Sequence, residues 1–310
     1  MESVQQAGAA VIEQLERAIH GKSGVLKLVL ACLLADGHLL LEDVPGTAKT
    51  LLAKGLARTL GGEFRRLQGT PDLLPGDVTG SSIYHPGTGE FEFHPGPVFG
   101  HILLADELNR ATPRAQAALL ECMAERQVTA DGTTRPLPRP FFVIATQNPV
   151  DQEGTFPLPE AQLDRFAMRL SLGYPGLAAE LQMLRGVGDP LDRVEAVLDS
   201  ARLVELQDAV REVRVADPVA EYIVRVVSAT RKSPDFVLGA GPRATRTLFR
   251  CAQAWAALAG RSHVLPDDVG LLLPSVVTHR TILGAEARLS GRSSVEALNA
   301  AIARIAAPVS

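Results

Sequence analysis

Apolar runs and helix-period segments alternate along the first 175 residues. "HLLLEDV" (38–44) holds an unbroken apolar run, Leu39 to Leu41, before an acid pair, which predicts a strand covered on both faces. "FRRLQ" (64–68), "HILLADE" (101–107), "PFFVIATQN" (140–148) and "FAMRLSL" (166–172) predict four more strands. Between them lie "LKLVLACLLADG" (26–37), a helix closed near Gly37, and "TLLAKGLARTLGG" (50–62), a helix with a Gly-Gly stop. A third helix, "PRAQAALLECMAERQ" (113–127), has Pro113 in its first turn. Strands alternating with helices predict a doubly wound parallel α/β sheet of five strands.

Two stretches interrupt this alternation. "SIYHPGTGEFEFHPG" (82–96) sets a Pro-Gly-Thr-Gly turn between two strand-like runs. Its Phe91 and Phe93 share one face, expected to seat on the core, with Glu90 and Glu92 on the other. "RQVTADGTTRPLP" (126–138) centres on Asp131-Gly132, a type I′ turn signal. Both predict β-hairpins inserted into the α/β core, or else simple surface loops. From Tyr174-Pro175-Gly176 onward helical periodicity takes over, broken only by "KSPDFVLGAGPRA" and "SHVLPDDV". The expected division is an α/β domain over 1–175 and an all-helical domain over 176–310, ending in the helix "SVEALNAAIARIAAP".

Composition narrows the class. The 310 residues are 46% hydrophobic with a formal net charge of −4, enough for a sizeable core and without the basic excess of a nucleic-acid binder. Cys32, Cys122 and Cys251 have no metal-ligand spacing, and their odd number fits reduced thiols in a cytoplasmic protein. The N-terminal segment has no hydrophobic signal core, and "GVLKLVLACLLADGHLLLE" is interrupted by Lys27, Asp36 and His38, which argues against a membrane span.

The chemistry concentrates at strand ends. "EDVPGTAKT" (42–50) follows the first strand and opens a helix, the context of a phosphate-binding loop. It keeps Lys49 and Thr50 of G-x-x-x-x-G-K-[ST] but has Asp43 for the first glycine and Ala48 for the last. Gly46 can supply a positive φ, Asp43 is a residue type that tolerates unusual φ, Pro45 stiffens the bend, and Ala48 adds a methyl where the helix begins. Lys49 would reach the β- and γ-phosphates and Thr50 would offer its hydroxyl to Mg²⁺. "ILLADE" places Asp106 and Glu107 at a strand end, suited to holding the metal's hydration shell and polarising water respectively. Without the upstream loop the same pair would read as a strand cap. Asn148, at the end of "FVIATQN", can bond a γ-phosphate or the water, or serve as a strand-terminating turn residue. Arg165 in "LPEAQLDRF" and Arg243 in "GAGPRATRTL" are, singly, ordinary surface arginines. Arg243 begins a helix of the second domain and could reach back to the nucleotide.

Together these stretches resemble the AAA+ ATPases, and more narrowly the MoxR family, from His20 to about Arg280. In that family "EDVPG" is an ordinary variant of the Walker A loop. The resemblance implies a nucleotide contact by Pro45, Gly46, Thr47, Ala48, Lys49, Thr50 and Leu51, and metal binding through Thr50 and Asp106 in Walker B. It makes Glu107 the catalytic base, Asn148 the first sensor, Arg243 the second sensor, and Arg165 the arginine finger acting on a neighbouring subunit. His20 and Gly21 sit where the family brings backbone against adenine, and Gln68 is expected to couple Glu107 to substrate. The hairpins resemble the helix-2 and pre-sensor-1 inserts, and the C-terminal domain resembles the lid. The implied activity is Mg²⁺-dependent ATP hydrolysis by a homo-oligomer, usually a hexamer. The implied task is remodelling or maturing a protein client, often one with a von Willebrand factor type A domain.

Three rivals follow from the same motifs. A magnesium-chelatase ATPase subunit shares the insert pattern. A nucleic-acid motor would line a pore with the hairpins, but Glu90, Glu92 and only Arg135 and Arg139 are poor material for a phosphate-tracking groove. A non-hydrolysing switch would not need the intact set of Lys49, Asp106, Glu107, Asn148 and Arg165.

Overall fold

All five predicted sheet strands form, and all run parallel. The computed structural model describes residues 2–44, 46–87, 89–148, 154–185 and 188–308. Helices α1 (Glu2–Glu16) and α2 (Ser23–Leu34) lead into β1 (Leu39–Glu42), then α3 (Lys49–Thr59) and β2 (Phe64–Gln68). A short α4 (Pro75–Thr79) precedes the hairpin of β3 (Gly80–His85) and β4 (Glu90–Pro95), after which come β5 (Ile102–Asp106) and α5 (Pro113–Glu125). The second hairpin, β6 (Gln127–Ala130) and β7 (Thr133–Pro136), is followed by β8 (Phe142–Gln147), a single-turn α6 (Glu160–Leu163) and β9 (Met168–Leu170).

The sheet order is β2-β5-β8-β1-β9. The chain leaves β1, skips two places to β2 and works back, so the direction of winding reverses beside β1. In open parallel sheets ligands bind outside the carboxyl ends of the strands at such a reversal. The three central strands β5, β8 and β1 are buried on both faces by strict alternation, whereas the edge strand β2 buries only Leu67 fully. Leu39, Leu41, Ile102, Leu104, Phe142 and Ile144 face one core, shared with α1, α2 and α3. Leu40, Leu103, Ala105, Val143 and Ala145 face the other, shared with α5. This is why the strands read as continuous apolar runs.

After β9 the chain is mainly helical: α7 (Leu177–Arg185), α8 (Ser200–Arg211), α9 (Asp217–Thr230), β10 (Phe236–Leu238), α10 (Pro242–Leu258), α11 (Pro266–Val277), β11 (Ile282–Leu283), α12 (Ala285–Leu289) and α13 (Ser294–Ile302). Among these, β10 and β11 pair as a short antiparallel ribbon that the helical periodicity does not announce. The helical part shares its core with α1, α2 and one face of the sheet: Leu248, Cys251, Ala252 and Leu272 belong to the same apolar cluster as Leu15 and Leu30. It is anchored to the sheet by Arg280, whose buried guanidinium pairs with Asp164 at 2.8 Å and also donates to the carbonyl of Phe166.

Both hairpins form. Asp131 (φ 52°) and Gly132 (φ 72°) turn the second, as the type I′ signal requires. The first departs from expectation. Phe91 is 72% exposed, because the strand lies over the second hairpin and does not lie on the sheet. Phe93 meets Phe99 and the guanidinium of Arg135, 3.9 Å from its ring, while Phe91 lies tilted against Tyr84.

Candidate active site

The loop after β1 is bent by two left-handed residues. Gly46 has φ +84°, and a Cβ there would meet no atom, so it is the backbone angle that calls for glycine. Ala48, the N-cap of α3, has φ 62° and ψ 22°, so it does more than add a methyl: it holds a conformation L-residues adopt at a cost of about 1 kcal/mol. Pro45 lies outside the described residues. Asp43 is not among the described positive-φ residues. Its buried carboxylate accepts instead from the Ser171 hydroxyl (2.8 Å), the Leu172 N–H and the Gly173 N–H (3.1 Å), clamping the end of β1 to the chain leaving β9. Lys49 folds back to donate to the carbonyls of Asp43 (2.9 Å) and Val44 (3.2 Å). The Thr47 hydroxyl closes the loop on the Val44 carbonyl.

A cavity of about 380 Å³ opens over this loop, lined by Gly46, Thr47, Ala48, Lys49, Thr50 and Leu51 on one side. Asp106, Glu107, Thr146 and Asn148 line the other. The parallel sheet brings them together: β5, β8 and β1 are consecutive neighbours, and each ends at this edge. The cavity presents the amino end of α3, a lysine held only by two loop carbonyls, a threonine hydroxyl and a carboxylate pair. That donor set fits a nucleoside polyphosphate with a hard divalent cation.

The acid pair is held by neighbours that the sequence does not advertise. Thr146 donates its hydroxyl to Asp106 Oδ1 (2.7 Å) and accepts from the Glu107 N–H (2.8 Å). On β2, Arg66 pairs with Asp106 Oδ2 at 2.7 Å and donates to Gln68 Oε1, while Gln68 Nε2 donates to Glu107 Oε2 at 3.0 Å. The expectation for Gln68 therefore has a direct contact beneath it. Glu107 itself is left-handed (φ 52°, ψ 48°), a backbone state that clusters at functional sites. Gly69 makes room for it: a Cβ at Gly69 would stand 2.1 Å from the Glu107 carbonyl oxygen. Only the alternation of polar side chains at the end of "FRRLQ", and a threonine two residues before Asn148, hinted at Arg66 and Thr146.

Two arginines do not join this cavity. Ala167 donates to the His38 carbonyl, so residues 164–166 lie at the amino edge of the sheet, while Asp43 lies at the carboxyl edge. The four residues of β1 put roughly 13 Å of strand between them. Arg165 and Arg243 both line a different cavity, about 550 Å³, at that opposite edge, with Arg126, Arg211, Arg246 and Arg250. Arg243 bonds Asp164 at 3.3 Å and Arg165 donates to the Leu120 carbonyl. Arg243, expected to reach back to a nucleotide, thus stands across the sheet from the phosphate loop of its own chain, on a helix that packs against α1, α2 and α11. His20 and Gly21 also stand outside the smaller cavity, near the carboxyl edge of the sheet. Lys22 donates to the Tyr174 carbonyl at 2.7 Å, and a Cβ at Gly21 would touch Ala179, just beyond the segment Asp43 holds.

Known proteins resemble this chain in sequence and fold. Residues 38–168 match the family described as "ATPase family associated with various cellular activities (AAA)", and residues 228–301 match the AAA lid domain. The chain is 47% identical over 300 residues to the uncharacterized protein YeaC of Bacillus subtilis, covering 96% of this chain and 94% of that one. It is 40% identical over 316 residues to chaperone MoxR1 of Mycobacterium tuberculosis, covering 97% and 84%. A crystal structure from Cytophaga hutchinsonii, described as a "putative ATPase", superposes with a TM-score of 0.92 at 37% identity, covering 99% of this chain and 97% of that one.

Proposed function

Because this chain belongs to the MoxR family of AAA+ ATPases, we propose that it hydrolyses ATP as one subunit of a ring and uses the cycle to remodel a protein client. The observation that carries the reading is the convergence of Lys49, Thr50, Asp106, Glu107 and Asn148 on one cavity at the switch point of the sheet. In this reading Lys49 leaves the carbonyls of Asp43 and Val44 for the terminal phosphates, and the loop N–H groups at the start of α3 cradle the anion. Thr50 and Asp106 would hold Mg²⁺, which supplies charge neutralisation to the triphosphate. Glu107 accepts the proton of the attacking water, and Gln68 and Thr146 fix where its carboxylate and backbone stand. Asn148 bonds the water or the γ-phosphate.

Arg165 and Arg243 would then serve a neighbour. Both lie across the sheet from their own loop, so a second copy must bring its loop to them. An always-charged planar guanidinium suits the charge that spreads over the transferring phosphoryl group. A hexameric ring, and a client carrying a von Willebrand factor type A domain, are carried over from the family resemblance. The name of the mycobacterial relative supports a chaperone role. Among the described residues no helix is long and apolar enough to cross a membrane.

The test is mixing. Wild type should turn over ATP with a rate per subunit that rises with protein concentration, and Arg165→Ala and Lys49→Ala should each be nearly inactive. Mixed rings of the two variants contain interfaces pairing an intact loop with an intact arginine, and these should recover activity. An inactive wild type would refute the ATPase reading. Absence of recovery, in hetero-oligomers verified by mass and in a covalently linked dimer with one mutation in each half, would refute the action in trans.

A further inference from the structure

The first hairpin carries a cluster that the ATPase reading does not use. On the β3–β4 ribbon, Ser81 faces His94, Ile83 faces Glu92 and His85 faces Glu90. His85, Glu92 and His94 therefore share one face, with Glu92 two rungs from each histidine. Four rungs of about 3.3 Å would set the histidine backbones some 13 Å apart, yet their rings lie only 6.3 Å apart between centroids. Both imidazoles lean inward over the central carboxylate. One ligand atom from each residue, two ring nitrogens and a carboxylate oxygen, lies within 4.8 Å of the others. His85 Nε2 is shut off from solvent and makes no hydrogen bond of acceptable geometry, although Glu92 Oε2 stands 3.0 Å away. A buried ring nitrogen aimed at a carboxylate without a hydrogen bond is the feature a simple surface ion pair leaves unexplained.

We propose that His85, Glu92 and His94 form a binding site for a borderline transition-metal dication, Zn²⁺ by preference. Two imidazoles and one carboxylate are a three-ligand zinc set, with bonds of about 2.0–2.2 Å and a fourth position left for water or an incoming donor. Around a tetrahedral ion with such bonds the ligand atoms would stand roughly 3.4 Å apart. The side chains must close by an ångström or so, and those of His85 and Glu92 are 45% and 67% exposed and can rotate. Mg²⁺ is excluded by chemistry, since it takes oxygen ligands in a rigid octahedron and imidazole does not suit it. The site is thus orthogonal to the nucleotide's metal. The three buried cysteines do not compete: burial raises all three thiols, Cys122 and Cys251 to about 12, far from the thiolate a metal needs. A bound ion would staple the two strands of an exposed hairpin. It would also place an open coordination position on the surface.

The experiment uses the full, tag-free chain stripped with a chelator and titrated with Zn²⁺ against a chromophoric competitor in excess Mg²⁺. The expected result is one ion per chain, with binding weakened at least about tenfold by His85→Ala and by His94→Ala, since even second-shell losses cost that much. Glu92→Gln should weaken it as well, and His263→Ala, on an exposed histidine far along the chain, should not. Melting curves of the metal-free variants matching wild type exclude misfolding, and His94→Gln replaces any variant that fails this check. Co²⁺ bound to wild type should show ligand-field absorption that His94→Ala removes. The proposal is overturned if wild type takes up no stoichiometric Zn²⁺, or if His263→Ala weakens binding as much as His94→Ala.

Discussion

Replacing Asp43 with glycine would restore the ordinary first residue of a phosphate loop, and it should damage the protein. In the structure the Asp43 carboxylate is the acceptor for the Leu172 N–H and the Gly173 N–H, and for the Ser171 hydroxyl. Ser171 is exposed and can turn to water, so it contributes little to the balance. The Leu172 N–H is buried, so it would lose its acceptor without gaining access to water, and Gly173 is half-buried. Hydrogen bonds to a charged acceptor are worth about 1.5–3 kcal/mol, and an orphaned buried donor costs a similar amount. Discounting Gly173 for water access leaves about 2–4 kcal/mol. The added backbone freedom of glycine contributes roughly 0.5–1 kcal/mol more. Asp43→Gly should therefore lose about 2.5–5 kcal/mol in urea unfolding, a midpoint shift of roughly 0.8–1.7 M if the slope is about 3 kcal/mol per M. Asp43→Asn should fall between, because its amide keeps one acceptor oxygen but turns a donor toward the remaining N–H. Nucleotide affinity should drop with stability, since the clamp sets the angle at which the loop leaves β1. A loss below about 1 kcal/mol for Asp43→Gly would refute the clamp and return the residue to an incidental loop substitution.

Gly69→Ala would place a methyl 2.1 Å from the Glu107 carbonyl oxygen, forcing the acid's backbone to shift by about an ångström; misplacement on that scale costs roughly a hundredfold in turnover. Steady-state ATPase should fall by about that factor while equilibrium ATP binding stays within a few-fold, and an unaffected rate would show that Glu107 is not positioned by this contact. Stability should also fall on mild acidification. Burial, reinforced by Arg126 for His38 and by Arg280 for His279, holds both histidines well below the ordinary value of 6.5. His38 accepts from the Val143 N–H and faces the Met123 carbonyl, as a neutral ring does. The unfolded chain therefore binds more protons, and stability is complete above about pH 6.5 and is lost as pH falls toward the depressed folded values. Two such groups should remove about 2 kcal/mol between pH 6.5 and 5.5, read as a falling midpoint in urea unfolding. His279→Gln should flatten that slope by half, and a slope unchanged by it would assign the acid sensitivity elsewhere.

The elements of this fold were legible where the physics is local. A strand buried on both faces must be apolar without interruption, so "HLLLE", "ILLAD" and "FVIAT" announce themselves, and Asp131-Gly132 announces a turn because few other pairs accept two positive φ values. The phosphate loop was legible for the same reason: a lysine, a threonine and a glycine at the end of a strand and the start of a helix are a local constellation. What the chain does with Asp43 was not, because its partners stand 128 to 130 residues away, and only the pairing of β9 with β1 brings them within reach. Thr146, Arg66 and Gly69 act on the acid pair through strands that become neighbours only in the order β2-β5-β8-β1-β9. Phe91 was placed on the core by its alternation with Glu90 and Glu92, but alternation states that a strand has two faces and cannot say what covers either. Arg243 shows the limit most plainly. Helical periodicity placed it at the start of a helix, while the edge of the sheet to which it is carried depends on α1, α2 and the sheet sharing one core with α10. Local sequence carries backbone angle and burial; the side of the sheet on which a residue ends up is decided by contacts between segments far apart in the chain.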